Sequence, residues 1–369
     1  MGYFWRKNSK FLIKTVLLSF MCISPFITSL AMGEEISDHK QEVEKAINSI
    51  FNNRNKALIN GDSALIKTIF DTNTKYGTWA YDHEKKKMQY IHNWQEKQGI
   101  KFTEIKPNIV IKRIKEKSID SYSVNLLCST EYKYQYDNQP SVENSSRIGT
   151  YHILNIVNRS GNWIITKEWY KDPFADSLYL DNIKAYSSKE FILSQNSTDN
   201  NIGDRRLKAA LYAEEYCGAA SEGKNGYKYN KKYRDYNPQG GDCANFASQI
   251  LFEGGKFRKN GAWNYDSGGA TRAWLNADGF KNYMINSGRA SLIAHGSYDK
   301  VYKVSYKMKP GDFVAYEKKG DITHISTVTG NDSRGYALVS CHNTDRNKVP
   351  WDLGWSDKNI KFWLVHVNY

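Results

Sequence analysis

Cys243 lies where the sequence best suits covalent chemistry. It follows a loop broken by Gly240 and Gly241, within NPQGGDCANFASQ at residues 237–249. The apolar spacing beyond it predicts a helix, ended by Gly254-Gly255, that buries one stripe: Phe246, Ala247, Ile250 and Leu251. A thiolate in the first turn of a helix is stabilised by unpaired backbone amides and by the helix dipole. The pattern therefore predicts that Cys243 is a nucleophile.

His324 is the predicted base for this thiol. A thiol nucleophile needs a group that takes its proton and returns it to the departing amine. His324 lies in DITHISTV (321–328), which follows KPGDFVAY (309–316) and the charged turn at 317–320. Both runs are typical of strands. Because His324 alternates with Ile325 and Val328, the strand is expected to direct the imidazole into a cleft.

A polar residue after the next strand would orient that imidazole. The strand predicted from Tyr336 to Cys341 ends in HNTD, so His342, Asn343 and Asp345 are the candidates. Strand register decides which of them points inward.

The backbone amide of Cys243 is the first candidate for an oxyanion donor. A second donor would come from a side chain upstream, and the candidates are Tyr233, Tyr236 and Gln239.

Substrate-groove candidates flank this segment. They are Asp242, Trp263 and Trp274, for which helix capping and aromatic core packing are the competing interpretations. Cys243, Cys341, His324 and His342 are residue types that zinc prefers, but they lack the short paired spacing of a zinc motif. Four cysteines scattered after residue 31 are also no disulfide scaffold.

Residues 1–31 are typical of a signal peptide. Four basic residues precede an apolar run from Thr15 to Ile27, and Ser29-Leu30-Ala31 supplies the small residues read by a signal peptidase. Retention as a membrane anchor is the alternative, which Pro25 disfavours. The whole chain has a net charge of +13, and the leader holds four basic and no acidic residues. Cleavage therefore leaves a chain with a net charge of about +9. Such a surface would attract polyanions such as wall polymers or anionic lipid, and an ordinary solvated surface is the competing interpretation. No basic run predicts nucleic-acid binding.

The composition after the leader suggests two domains. Residues 36–185 begin with helices, at 42–58 and 63–70, and continue with four long strands that predict a curved antiparallel sheet. Residues 186–203 are polar and are expected to be a linker. A second domain, 204–369, then opens with a helix whose predicted apolar face is Leu207, Ala210, Leu211 and Tyr216. The fold class expected for both is α+β.

Two family resemblances follow from these patterns. The order of helices and strands in 36–185 is similar to cone-shaped SnoaL-like (nuclear transport factor 2-like) domains. GGDCANFASQ, the Pro-Gly-Asp strand and the Thr-His-Ile strand resemble the bacterial "putative amidase" domain, a branch of the papain-like cysteine hydrolases related to CHAP-type cell-wall enzymes. Trp274 and the stretch from Trp351 to Tyr369 fit that family too. The second resemblance covers 204–369.

The second resemblance implies a Cys–His hydrolase of amide bonds, with no metal or organic cofactor. It implies a fold in which a helix carrying the cysteine packs on an antiparallel sheet carrying the histidine. It also favours His342 over Asn343 and Asp345 as the third catalytic residue.

The predicted function is an exported cysteine amidohydrolase that forms a thioester intermediate. Its expected substrate is bacterial peptidoglycan or a wall peptide, because the chain carries an export signal and a basic charge. Two alternatives stay open. One is a catalytically inactive wall- or surface-binding protein on the same fold, and the other is an acyltransferase that passes the thioester to an amine, as transglutaminases do.

Overall fold

The computed structural model describes residues 26–174, 188–197, 202–355 and 359–369, with side chains from residue 39 onward. The chain separates into two compact units, Met1–Glu44 and Lys45–Tyr369. Residues 1–25 of the predicted signal peptide (1–31) lie outside the described residues. Helix α1 (Phe26–Asn60) includes the last six residues of that predicted segment. No helix in the described ranges has the length and apolarity needed to cross a membrane. The fold below is that of the second unit.

Helices and a four-stranded meander make up its first half. After α1 come α2 (Ser63–Ile69), α3 (Lys75–Gln98), β1 (Ile100–Ser118), β2 (Ser121–Tyr136), β3 (Gln139–Arg159) and β4 (Asn162–Tyr170). Asp62 caps α2, since its Oδ1 accepts from the Leu65 amide at 2.8 Å. The turn between β3 and β4 has Ser160 and Gly161 at φ 53° and 87°, which suits a tight hairpin. The helices and strands predicted for this half are confirmed, and α3 is added to them.

The second half places helices on an antiparallel sheet. Its helices are α4 (Lys189–Ser194), α5 (Asp204–Tyr216), α6 (Cys243–Gln249), α7 (Arg272–Leu275), α8 (Ala277–Asn286) and α9 (Tyr298–Val301). Its strands are β5 (Tyr265–Asp266), β6 (Gly269–Ala270), β7 (Ala290–Gly296), β8 (Phe313–Lys318), β9 (Asp321–Asn331), β10 (Ala337–Cys341), β11 (Asp345–Pro350) and β12 (Ile360–Val367). The fold class is α+β, and α6 packs against β9.

One sheet runs through both halves. Within the described ranges, ten strands are joined in the order β1-β2-β3-β11-β10-β9-β8-β12-β7, with β4 also on β3. The junction is antiparallel, with Asp345 opposite Gly149 and Asn347 opposite Arg147. A Cβ at Gly149 would lie 2.4 Å from the Ala219 backbone, so only glycine permits this close approach. The two predicted domains therefore share their hydrogen-bonded sheet.

Buried polar contacts reinforce this junction. The Lys97 ammonium on α3 donates to Asp352, and both side chains are at most 3% exposed. Tyr336 also donates to Asp352, at 2.8 Å. Tyr136 on β2 donates to Asp332 at 2.6 Å. Removing one member of such a pair leaves the other charge buried without compensation, so these contacts couple the stability of the two halves.

Two local expectations differ from the structure. The predicted linker contains α4, whose Ile192 is buried, because the apolar run 191–193 interrupts its polar sequence; residues 186–187 and 198–201 of it lie outside the described part. On α5 the predicted apolar face is wrong at Leu207 and Leu211, which are exposed, whereas Ala210 is buried as predicted. The buried face instead centres on Arg206, which donates to Asp312 and to backbone carbonyls.

Candidate active site

Two glycines and an asparagine shape the loop that starts α6. Gly240 and Gly241 have φ of 111° and 153°, and a Cβ on Gly241 would lie 2.4 Å from the Asn343 side-chain nitrogen. The Asp242 amide donates to Asn343 Oδ1 at 2.6 Å. The helix then begins at Cys243, with the first backbone bond from the Phe246 amide to the Asp242 carbonyl. The predicted helix start is confirmed.

The helix carrying Cys243 is buried along its whole length. It continues as one π-helical turn, Ile250–Gly254, and ends at the predicted glycines. All four residues of the predicted apolar stripe are buried. Because the helix is held from every side, the position of Cys243 relative to β9 is fixed by packing.

The Cys243 thiol faces the backbone of β9. Its side chain lies in a core cluster with Ala315 and Ile325, and the residue is 6% exposed. The backbone amides of Ile325 and Ala244 favour the thiolate and act to lower the pKa of Cys243. Burial nevertheless raises the pKa of Cys243 to about 12, so the resting group is a thiol at neutral pH.

The His324 imidazole is buried among aromatic rings. It is 4% exposed, and it lies near Tyr316 and stacks on Trp355 at a ring separation of 5.2 Å. Burial, followed by the positive charge of Arg346, lowers its pKa well below the usual value. Its Nε2 is buried without a hydrogen-bond partner among the described residues. The ring is therefore a neutral imidazole with an unused nitrogen.

The side chains of Cys243 and His324 belong to different faces of the sheet. His324 pairs directly with Tyr316, and the next pair is Ile325 with Ala315. Because neighbouring residues of a strand point to opposite faces, the Ile325 side chain shares the Cys243 core and the His324 ring does not. No hydrogen bond joins Cys243 to His324 among the described residues. The expectation that β9 aims His324 at the thiol is not met in this conformation.

His342 is used by the start of α6 and does not orient His324. Its Nδ1 lies 2.5 Å from Asp242 Oδ2, and its Nε2 lies 2.8 Å from the Tyr216 carbonyl oxygen. The ring is sandwiched between Tyr229 and Phe246, each 3.7 Å away. Both nitrogens are occupied, which corrects the prediction that this residue completes a catalytic triad. The cause is local, because β10 ends at Cys341 and the chain turns toward α6.

Asn343 and Asp345 likewise make other contacts. Asn343 has φ 67° and accepts from the Asp242 amide, as described above. Asp345 accepts from the Tyr229 hydroxyl at 2.6 Å and from the Ala219 amide at 2.7 Å. Burial raises the pKa of Asp345 to about 6. Neither residue contacts His324, so both alternatives for the orienting residue are corrected too.

The predicted groove residues are buried. Trp263 and Trp274 have no exposed surface, and their indole N–H groups donate to Ser248 and Asn245 on α6, each at 2.9 Å. Asp242 is 1% exposed. This burial contradicts the interpretation as groove-lining side chains and agrees with core packing for the two tryptophans. Asp242 precedes α6 but makes no side-chain cap bond to it, so the capping interpretation is not met. Aromatic spacing alone does not separate the two roles.

The upstream oxyanion candidates occupy different environments. The Tyr233 hydroxyl donates to Glu253 at 2.9 Å. Tyr236 is half-buried and donates its backbone amide to Asp242. Gln239 is exposed and ends the short 3₁₀ turn Asn237–Gln239 that leads to Cys243. Gln239 is thus the candidate whose side chain is open to a ligand.

Three groups around Cys243 and His324 carry no signal in the sequence pattern. The Ile325 amide favours the Cys243 thiolate, Trp355 covers the His324 ring, and Arg346 supplies a nearby positive charge. Trp355 and Arg346 are distant from His324 in sequence and carry no motif signal. The backbone amide gives no residue-type signal at all.

Comparison with known proteins identifies the region around this site. Residues 203–365 match the family model described as "Putative amidase domain". The match contains Cys243, His324 and the strands between them. It supports a general amide-hydrolysing role for this half of the chain.

Two individual proteins are similar over smaller shares. A Bacillus subtilis (strain 168) protein, "Uncharacterized protein YjcM", is 28% identical over 192 residues, covering 50% of this chain and 41% of the relative. The chain thus spans about two fifths of that relative's length. A crystal structure of a "Putative Scytalone Dehydratase" from Novosphingobium aromaticivorans covers 37% of this chain and 87% of its own, at 14% identity and a TM-score of 0.26.

Proposed function

We propose that this chain is an exported amide hydrolase of papain-like type, with Cys243 as nucleophile and His324 as base. One observation carries the proposal. The helix that begins at Cys243 places this residue in the same buried cluster as Ile325, the residue that follows His324 on β9. The amidase-domain match across 203–365 supports the same reaction class.

Both reacting groups are neutral at rest, which fixes the order of proton transfers. As Cys243 Sγ bonds to the amide carbonyl carbon, the thiol proton passes to the neutral imidazole of His324. The imidazolium then protonates the nitrogen as the C–N bond breaks, leaving a thioester. Water, deprotonated by His324, breaks the C–S bond and restores the thiol. The amides at the start of α6 are the nearest donors for the oxyanion.

This mechanism requires the imidazole to reach Sγ when substrate binds. The strand carries a feature that permits it: Tyr316 pairs with His324 and Glu317 with Ile322, so Thr323 is an extra residue in β9. Such a bulge redirects side chains and is common beside active sites. If the bulged residue were His324 instead of Thr323, the imidazole would turn toward the sheet face that carries the Ile325 side chain.

Peptidoglycan is the proposed substrate. The leader at residues 1–31 and the net charge of about +9 beyond it support export to an anionic cell wall. The bond cut would be the muramoyl–alanine amide or a bond within the stem peptide, since both are amides.

Hydrolysis of purified cell walls tests the proposal. The wild-type protein should release new amino termini, and Cys243→Ala and His324→Gln should each abolish that release while keeping the melting temperature. Cys341→Ala is the matched control, because Cys341 is also a buried free cysteine of this half. Equal activity of Cys243→Ala and wild type would disprove the cysteine mechanism.

A wall-binding protein without catalysis is the second candidate. The burial of Cys243 and the missing contact with His324 favour it. A protein of this kind should sediment with cell walls equally well as wild type and as Cys243→Ala, and neither form should release new amino termini. Release of amino termini by wild type alone would exclude it.

A further inference from the structure

A surface cavity of about 200 Å³ lies in the other half of the chain, between α3 and β4. Its lining residues come from one turn of the helix and one strand end: Trp79, Ala80, His83, Glu168, Trp169 and Tyr170. Pockets for drug-sized ligands are larger, roughly 300–1,000 Å³. This cavity therefore suits a single ring of a ligand that extends beyond it.

Two indole rings at the cavity are turned to solvent. Trp79 is 57% exposed and Trp169 is 63% exposed, in contrast to Trp94 of the same half, which is buried. Tyr76, 51% exposed, continues the surface, with its ring 5.6 Å from that of Trp79. Clustered exposed aromatic rings on a protein surface mark binding sites, because their burial against a ligand is favourable.

His83 supplies one polar group at the rim. Its Nε2 lies 2.6 Å from Oδ2 of Asp172, whose side chain is 1% exposed. A carboxylate at that distance fixes the ring orientation. The other nitrogen, Nδ1, makes no hydrogen bond with a described residue, and the side chain is 31% exposed. Nδ1 is available to a ligand hydroxyl.

The floor of the cavity has no unpaired charge that would attract an ion. Glu168 accepts two bonds from Arg54, at 3.0 and 2.9 Å, and lies 2.7 Å from Nδ1 of His152. The Tyr170 hydroxyl donates to Glu84 at 2.5 Å. Because Glu168 is already neutralised by its neighbours, an uncharged ligand fits this floor better than an ionic one.

We propose that this cavity binds one pyranose unit of a neutral carbohydrate. The apolar C–H face of the sugar packs on the indole of Trp79 or Trp169, and a ring hydroxyl bonds to His83 Nδ1. A wholly apolar ligand fits less well, because the cavity is open to solvent. Part of its apolar surface would stay in water, and His83 Nδ1 would gain no hydrogen-bond partner from it. The site is independent of the cysteine chemistry; only the choice of an amino sugar as probe rests on the proposed wall substrate.

Calorimetric titration with the tetramer of N-acetylglucosamine tests the site. The full chain is used with Cys243→Ala, so that turnover cannot complicate the measurement. Saturable binding is expected, weakened roughly tenfold by Trp79→Ala and by Trp169→Ala. Ile119→Ala is the control, because Ile119 is 89% exposed on the β1–β2 turn away from the cavity. It should bind the sugar as the parent does.

His83→Phe separates the polar contact from ring packing. It keeps a ring beside Tyr170, and its affinity for the tetramer should fall by a similar factor if Nδ1 bonds to the sugar. Melting curves for every variant show that each folds. No binding by the parent, or equal binding by both tryptophan variants and the parent, overturns the proposal. Such a result leaves wall hydrolysis by wild type untouched, so the two proposals fail separately.

Discussion

Alkylation of Cys243 by iodoacetamide reports directly on the resting state of the site. Burial raises the pKa of this thiol from 9.0 to about 12. At pH 7 the thiolate fraction is therefore about a thousandfold smaller than for an ordinary cysteine. We expect modification at roughly a thousandth of the rate of an exposed cysteine, rising about tenfold for each pH unit between 7 and 10.

Peptide mapping by mass spectrometry at timed intervals measures this rate. Cys128, Cys217 and Cys341 serve as internal references, because they are free and buried in the same molecule. In denaturant all four described cysteines should react at similar rates. The difference between the native and denatured rates of Cys243 then gives the protection supplied by the fold.

Fast modification with a flat profile from pH 6 to 8 would refute this reasoning. It would show a thiolate paired with an imidazolium, which the separate faces of Cys243 and His324 do not allow. The variant His324→Gln provides the check. Its alkylation rate should equal that of wild type if the imidazole does not contact the resting thiol.

Three other predictions concern the framework of the site. Lys97→Met should lower the free energy of unfolding in urea by about 3–5 kcal/mol, because it leaves the buried Asp352 carboxylate without its counter-ion. Adding Asp352→Asn should restore part of the loss. His342→Gln should lower the melting temperature but change kcat less than about twofold, because the imidazole anchors the start of α6. A large fall in kcat at an unchanged melting temperature would instead show that His342 takes part in catalysis. The pKa of Asp345 is raised to about 6, so its contribution to stability is present below about pH 4 and is lost as the pH rises to about 6. Asp345→Asn should flatten that part of the urea-derived stability profile, and an unchanged slope would contradict the assignment.

Local sequence patterns identified most elements around the candidate site. The helix beginning at Cys243, its buried stripe and the strands on either side of the 317–320 turn follow from periodicity and from glycine positions. These features depend on residues within a few positions of one another. Sequence spacing is therefore sufficient to predict them.

Strand register and long-range pairing were decided only by the tertiary structure. A single extra residue, Thr323, lies beside His324 in β9, and side chains alternate between faces with a period of two. The face of the imidazole thus depends on a register that composition does not encode. The roles of His342 and Asp345 depend in the same way on partners one hundred or more residues away.

The sequence by itself determined a cysteine at a helix start, a histidine on a strand and an α+β class, because each is a property of local periodicity. The tertiary structure decided that the two halves share one sheet, that the predicted groove tryptophans are core, and that Cys243 packs with Ile325 and not with the His324 ring. Those outcomes arise from packing between distant segments, where the free energy depends on which surfaces meet.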